Sequence, residues 1–154
     1  MDFFEPFLEP FYLAADFVFK DMFEKDIKPG IIQYHENFIA TREANINIGI
    51  AGDLAGSVTY SFSRELAFNI SSILLGMDFK ELNHFVASAV AEISNILSGN
   101  TMTFLSEQDC HCQIGTPQIY IGTDSRIVTK NSIFTIPIRT AIGDFEINVS
   151  LESR

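Results

Sequence analysis

Three polar residues of the segment 81–100 stand at intervals that place them on one stripe of a helix. Ser88, Glu92 and Asn95 are separated by four and three residues, and side chains at these spacings are neighbours on a helix surface. A hydroxyl, a carboxylate and a carboxamide in one line offer a partner both a negative charge and a neutral donor and acceptor. Gly99 follows one turn later, and its missing side chain would leave a gap for close packing. The stripe is therefore a candidate docking or catalytic surface.

Apolar residues of the same segment predict the helix that carries this stripe. They recur at helical spacing, and we expect them to form its buried face: Leu82, Phe85, Val86, Ala89, Ile93, Ile96 and Leu97. Asp78 and Glu81 have the spacing of a capping box. The helix is expected to end between Ser98 and about Ser106.

The pattern Ser88-x3-Glu92-x2-Asn95, with Gly99 and then Pro117 downstream, resembles the CheC/CheX/FliY phosphatases of bacterial chemotaxis. Members of the CheC type typically carry two copies of the pattern, whereas this chain has one, so it looks like the single-site CheX type. The likeness covers nearly the whole chain. It implies one CheX-like domain over residues 1–154 and a homodimer.

The resemblance also implies a reaction, the hydrolysis of the aspartyl phosphate of a CheY-type response regulator. Water attacks phosphorus in line, so the catalyst mainly positions water and stabilises charge. Asn95 would orient that water, because a carboxamide accepts and donates hydrogen bonds while staying neutral. Glu92 would pair with the regulator's active-site lysine. Ser88 could hydrogen-bond at the rim of the partner's site or be a small residue that avoids a clash. Gly99 could allow close approach of the partner's backbone or mark the end of the helix. Mg²⁺ is expected on the regulator, with no metal or other cofactor on this chain.

Composition narrows the range of partners. The 154 residues carry a net charge of −10 with only ten Lys and Arg, so a nucleic acid or an anionic membrane surface is a poor partner. The N-terminus lacks the features of a signal peptide, and no apolar run is long enough to span a bilayer. We therefore expect a cytoplasmic protein, in which Cys110 and Cys112 stay reduced.

Alternating and helical patterns outside the stripe predict an α+β domain. Apolar and polar residues alternate in two predicted hairpins, at 46–62 and 133–151, and shorter strands are expected at 31–34 and 118–122. Helices are expected at 7–24 and from Ser63, as N-cap, to Gly76, as stop. The predicted architecture is an antiparallel sheet built from hairpins with helices packed on one face. Pro137 indicates an edge position or a bulge in its strand.

Cys110, His111 and Cys112 raise the possibility of a metal site. A structural zinc site usually takes four ligands, and a strand would turn His111 away from both cysteines. Two half-buried strand thiols are the preferred interpretation.

Two other functions fit the same residues. The fold could serve as a non-catalytic adaptor that binds a response regulator or a flagellar switch, in which case phosphate release would not accelerate. It could also be a homodimeric ligand-binding domain, for which a well-formed apolar pocket would be the first sign.

Overall fold

The computed structural model describes residues 5–36, 38–40, 42–122, 126–128 and 132–152. Within these residues the chain forms three helices, α1 (Glu5–Phe23), α2 (Arg64–Leu75) and α3 (His84–Ser106). The strands are β1 (Ile27–Pro29), β2 (Gln33–His35), β3 (Phe38–Ala40), β4 (Ala44–Gly52), β5 (Ala55–Phe62), β6 (Cys112–Ile114), β7 (Gln118–Ile121), β8 (Arg126–Val128), β9 (Ile133–Thr140) and β10 (Phe145–Glu152). None of the described helices is long and apolar enough to cross a membrane.

The two predicted hairpins form the centre of an antiparallel sheet. The strand order is β1-β9-β10-β5-β4-β6, with β2 also paired to β9 and β7 also paired to β4. Strands β3 and β8 form a separate pair. The predicted α+β class, an antiparallel sheet with helices packed on it, is confirmed.

One face of the sheet is apolar and supports the helices. Ile46, Tyr60, Ile147 and Ile136 lie in register across four neighbouring strands, and all four are buried. Phe145 stacks on Phe19 of α1, with ring centroids 5.2 Å apart. The alternation of apolar residues along the strands produces this face, because successive side chains of a strand point to opposite sides.

The other face of the same strands is polar, yet much of it is also buried. Thr59, Thr135 and Asn148 lie in one cross-strand row with Asn47, and the first three are almost fully buried. Asn148 accepts a hydrogen bond from the Thr135 hydroxyl at 2.7 Å and donates to the Thr59 carbonyl at 3.0 Å. The Asn47 amide donates to the Thr59 hydroxyl at 2.8 Å. These bonds satisfy polar groups that would otherwise destabilise the fold.

The helix caps confirm one prediction and correct another. The Ser63 hydroxyl accepts from the Leu66 N–H at 3.2 Å, and Gly76 ends α2 with φ 69°. The capping box predicted for α3 at Asp78 and Glu81 is wrong. Asn83 caps that helix instead, because its side-chain oxygen accepts from the first free backbone N–H groups.

Pro137 lies opposite a gap in the neighbouring chain. Strand β9 is not an edge strand, because β1 and β2 both pair with its outer side. These two short strands flank Pro137, and the Gly30 N–H donates to the Pro137 carbonyl at 2.8 Å. The Pro137 nitrogen carries no hydrogen to donate, and it points to the same side of β9 as the Pro137 carbonyl. The missing N–H donor therefore lies between the segments of β9 that pair with β1 and with β2. The strand predicted at 31–34 is found at Gln33–His35.

Candidate functional site

Helix α3 carries the candidate site and is fixed by the elements around it. It packs against α1 and α2 and against the strands β4, β6 and β7. Val86, Val90, Ile93 and Leu97 form its buried face. The Ser98 hydroxyl hydrogen-bonds the buried Tyr60 hydroxyl at 3.0 Å. Because this face is held by both apolar and polar contacts, the rotation of the helix about its axis is determined and the opposite stripe faces outward.

The outward stripe contains the predicted polar residues. Ser88, Glu92, Asn95 and Gly99 are all exposed and all lie within α3. None of the three polar side chains makes a hydrogen bond or ion pair within the described part of the chain. The Asn95 carboxamide therefore has its donors and acceptor available to a partner, and the Glu92 carboxylate is not neutralised.

Gly99 lies in the interior of α3, seven residues before the last residue of the helix. A side chain added at this position would meet no atom within 4 Å, and its backbone is not in the left-handed region. Glycine is therefore not required here by helix termination or by packing among the described residues. It leaves an open gap one turn beyond Asn95 at a cost in helix propensity.

Phe85 is exposed, contrary to the prediction that it belongs to the buried face of α3. Its exposed fraction is 53%, and its ring lies against His84 and Phe79, with centroids 4.1 and 6.5 Å away. Phe85 precedes Ser88 by three residues and Glu92 by seven, so all three side chains share one stripe. The spacing to Glu92 is the signal that could have identified it. The other residues predicted for the buried face are buried or half-buried.

Cys112 is the first residue of β6 and is half-buried, as predicted, whereas Cys110 lies before the strand and is buried. The prediction of two half-buried strand thiols is therefore wrong for Cys110. The two sulfur atoms are 3.9 Å apart, and the Cys112 sulfur accepts from the Leu54 N–H at 3.3 Å. His111 points elsewhere, to the Ser106 hydroxyl, as predicted. Burial, and next the neighbouring Cys112, raise the pKa of the Cys110 thiol to about 11. Among the described residues, no group of three or more His, Cys, Asp or Glu is placed to hold a metal ion.

Pro117 lies in the link between β6 and β7 and is half-buried. Both of these strands contact α3. The structure brings Ser88, Glu92, Asn95 and Gly99 together on one stripe of α3, with Phe85 as an unpredicted neighbour.

Comparison with known proteins identifies the family. The model of the family described as "Chemotaxis phosphatase CheX" matches residues 45–139. A relative from Thermotoga maritima, the CheY-P phosphatase CheX, is 32% identical over 108 residues, which span 69% of this chain and 70% of the relative. The chain belongs to the CheX family. The predicted resemblance of the chain to the CheC/CheX/FliY phosphatases is thereby confirmed.

Solved structures of the CheX family share this fold. CheX from Vibrio vulnificus is 28% identical and superposes with a TM-score of 0.85, covering 96% of this chain and 99% of the other. The CheX chain in the CheX–CheY–BeF3–Mg²⁺ complex from Borrelia burgdorferi is 22% identical, with a TM-score of 0.73 and coverage of 96% and 98%. At that identity, the second likeness supports the fold alone.

Proposed function

We propose that this chain is a phosphatase that hydrolyses the aspartyl phosphate of a CheY-type response regulator. The observation that carries the proposal is the exposed pair Glu92 and Asn95 on a firmly packed helix, in a chain of the CheX family. The Thermotoga maritima relative, which is named a CheY-P phosphatase, supports it. The complex from Borrelia burgdorferi shows that a chain of this fold can bind CheY.

Asn95 is the proposed catalytic residue. Its carboxamide has no partner within the described chain, so it is free to enter the regulator's active site. There it would accept a hydrogen bond from the attacking water and hold it in line with the phosphorus atom. A neutral group suits this position, since a carboxylate would repel the phosphoryl oxygens.

Glu92 is the proposed anchor for the regulator's lysine. It stands three residues before Asn95 on the same stripe, so the two side chains start about 5–6 Å apart. This separation allows the carboxylate to bind an ammonium group while Asn95 reaches the phosphoryl group. Ser88 would contact the rim of the regulator's site, and Gly99 would allow close approach of its backbone.

Mg²⁺ is assigned to the regulator in this proposal. The reaction needs charge neutralisation at the phosphoryl oxygens, and a metal on the regulator supplies it. Treating this protein with a chelator and removing the chelator should therefore leave its activity unchanged, provided that the regulator is assayed with Mg²⁺.

Phosphate release tests the proposal directly. A CheY protein from the same organism is phosphorylated with a small-molecule phosphodonor, and its dephosphorylation is followed with and without this protein. We expect faster decay at substoichiometric amounts of this chain. If the chain binds the phosphorylated regulator but the decay keeps the regulator's own rate, the adaptor function replaces the enzyme.

We further propose a homodimer in the cytoplasm, as the family resemblance implies. Sedimentation velocity at several concentrations tests the first point, and fractionation of cells that produce a tagged full-length protein tests the second. A monomer at all concentrations would contradict the homodimer.

A further inference from the structure

Large apolar side chains are exposed where α2 ends and α3 begins. Leu75 is the last residue of α2, Met77 lies in the link between the helices, and Phe85 lies in the first turn of α3. Their exposed fractions are 45%, 61% and 53%. We call these three residues the apolar cluster. Phe79, which is half-buried, contacts Phe85 from the same link.

The fold does not account for the apolar cluster. The residues by which α2 is anchored are Leu66, Ala67 and Ile70, which are fully buried one turn or more before its end. In the first turn of α3, Val86 is buried in the core, so the packing of this helix does not depend on Phe85. Five of the eleven large apolar side chains that are exposed among the described residues belong to the segment 73–85. Such a concentration of exposed apolar side chains marks interaction sites in soluble proteins.

Phe85 joins the apolar cluster to the stripe of Glu92 and Asn95. Phe85 stands one turn before Ser88 and two turns before Glu92 on the same side of α3. The rise along a helix places Phe85 about 15 Å from Asn95, and a small domain is about 30 Å across. A regulator whose phosphorylation site meets Asn95 is therefore large enough to cover Phe85 as well.

We propose that the apolar cluster is a second part of the docking surface for the response regulator, with Phe85 as its apolar anchor. This inference rests on the proposed function. The matching surface of the regulator would be an apolar patch next to the phosphorylation site. The same link exposes Asp78 and Glu81 together with Lys80. This net negative charge would favour basic residues at the edge of that patch, since opposite charges at an interface rim steer association.

The two parts of the surface have different tasks. Glu92 and Asn95 contact groups inside the regulator's active site, whereas Phe85 lies too far along the helix to touch the phosphoryl group. Loss of Phe85 should therefore weaken association and leave the chemistry of the bound complex unchanged. This division separates a docking role from a catalytic one, because uniform binding affects KM and not kcat.

A pair of phenylalanine substitutions tests the inference. Phe85→Ala should raise KM for phosphorylated CheY on the order of tenfold, the effect expected for an aromatic interface anchor, with kcat within about twofold of wild type. Phe17→Ala is the matched control, because Phe17 is also a helical phenylalanine and is 51% exposed, but on α1. The control should keep the wild-type KM and kcat. Phe85→Leu should recover most of the affinity.

Met77→Ser guards against an effect on folding, because Met77 lies outside both helices and its side chain is 61% exposed. It should raise KM in the same direction with an unchanged melting temperature. Wild-type KM in both Phe85→Ala and Met77→Ser, beside an active wild-type enzyme, would overturn this inference and leave the phosphatase function intact. A fall in kcat at unchanged KM in Phe85→Ala would also overturn it.

Binding to CheY loaded with beryllofluoride and Mg²⁺ keeps the inference testable if the wild-type chain proves inactive. In that case the proposed function fails, while the dissociation constants of the same variants still decide the role of the apolar cluster. Weaker binding by Phe85→Ala and Met77→Ser, with Phe17→Ala unchanged, would support the docking role. Equal binding by all three would overturn it.

Discussion

Asn95 and Glu92 offer a partner different chemistry, although they are three residues apart on one stripe. Both side chains are exposed, and neither has a hydrogen-bond partner within the described chain. Their replacement therefore removes no described contact of the folded protein. This makes the effects of the two substitutions interpretable as effects on the partner rather than on folding.

Asn95→Ala should reduce the rate of phosphate release on the order of 10²-fold, the scale expected when a reacting group loses its positioning. Affinity for the phosphorylated regulator should change little, because one amide adds little ground-state contact. Single-turnover kinetics with saturating protein measure the first quantity, and titration with beryllofluoride-loaded CheY measures the second. A variant that turns over the bound complex at the wild-type rate would show that Asn95 does not orient water.

Glu92→Ala should weaken affinity and rate together, because it removes a charge-assisted contact with the regulator's lysine. The affinity loss should shrink as salt concentration rises, since salt screens the ion pair in the wild-type complex. Titrations at low and high ionic strength measure this. An affinity loss that is independent of salt would exclude the ion pair as its cause.

Most of helix α3 could be predicted from the sequence, but the residue at which it starts could not. The periodicity identified Val86, Ala89, Ile93 and Leu97, which are buried, and the predicted range for its end includes Ser106. Phe85 was wrongly assigned to the buried face, although its spacing of seven residues from Glu92 places it on the outward stripe. Likewise, Asp78 and Glu81 have the residue types and spacing of a capping box, but the residue at the N-cap position is Asn83.

Gly99→Leu should separate the stability of α3 from its docking. The position is within the helix and a side chain there meets no described atom, so helix propensity should improve by up to about 1 kcal/mol. The melting temperature should be equal or higher, while regulator binding is lost to steric conflict. Gly99→Ala is the control, with similar stabilisation and a smaller loss of binding. Normal binding and hydrolysis by Gly99→Leu would show that this stripe is not the docking face.

Across the whole molecule, the alternation of apolar and polar residues predicted the long strands of the sheet but not the short ones. The two long hairpins were predictable because their apolar residues alternate strictly, as in Phe145, Ile147 and Val149. The short strands β1, β3 and β8 were not predicted, since three residues carry no periodicity, and β6 was expected only as a strand that holds both cysteines. The burial of Thr59 and Asn148 was not predictable either, because local polarity does not reveal that both faces of the central strands are covered.

The folded protein should lose stability at alkaline pH. Burial raises the pKa of Cys110 from 9.0 to about 11 and raises that of the Tyr60 phenol above its usual 10.0. Between pH 9 and 11 the unfolded chain releases these protons while the folded chain retains them, so the free energy of unfolding falls as pH rises. Urea midpoints measured from pH 8 to 11 test this. Cys110→Ala should flatten the lower part of that decline, and an unchanged slope would contradict the contribution of Cys110.

Ser88, Glu92 and Asn95 have no hydrogen-bond or ion-pair partner among the described residues, and this affects how the protein can evolve. Substitutions on the outward stripe of α3 remove no described contact from the fold, whereas the buried side of the same helix is tied to Tyr60 and the sheet. Selection on the stripe therefore acts through the partner alone. After a gene duplication, a few substitutions on this stripe could give one copy a different regulator as its partner. The thermal stability of that copy would not fall, so no compensating substitution would be needed elsewhere.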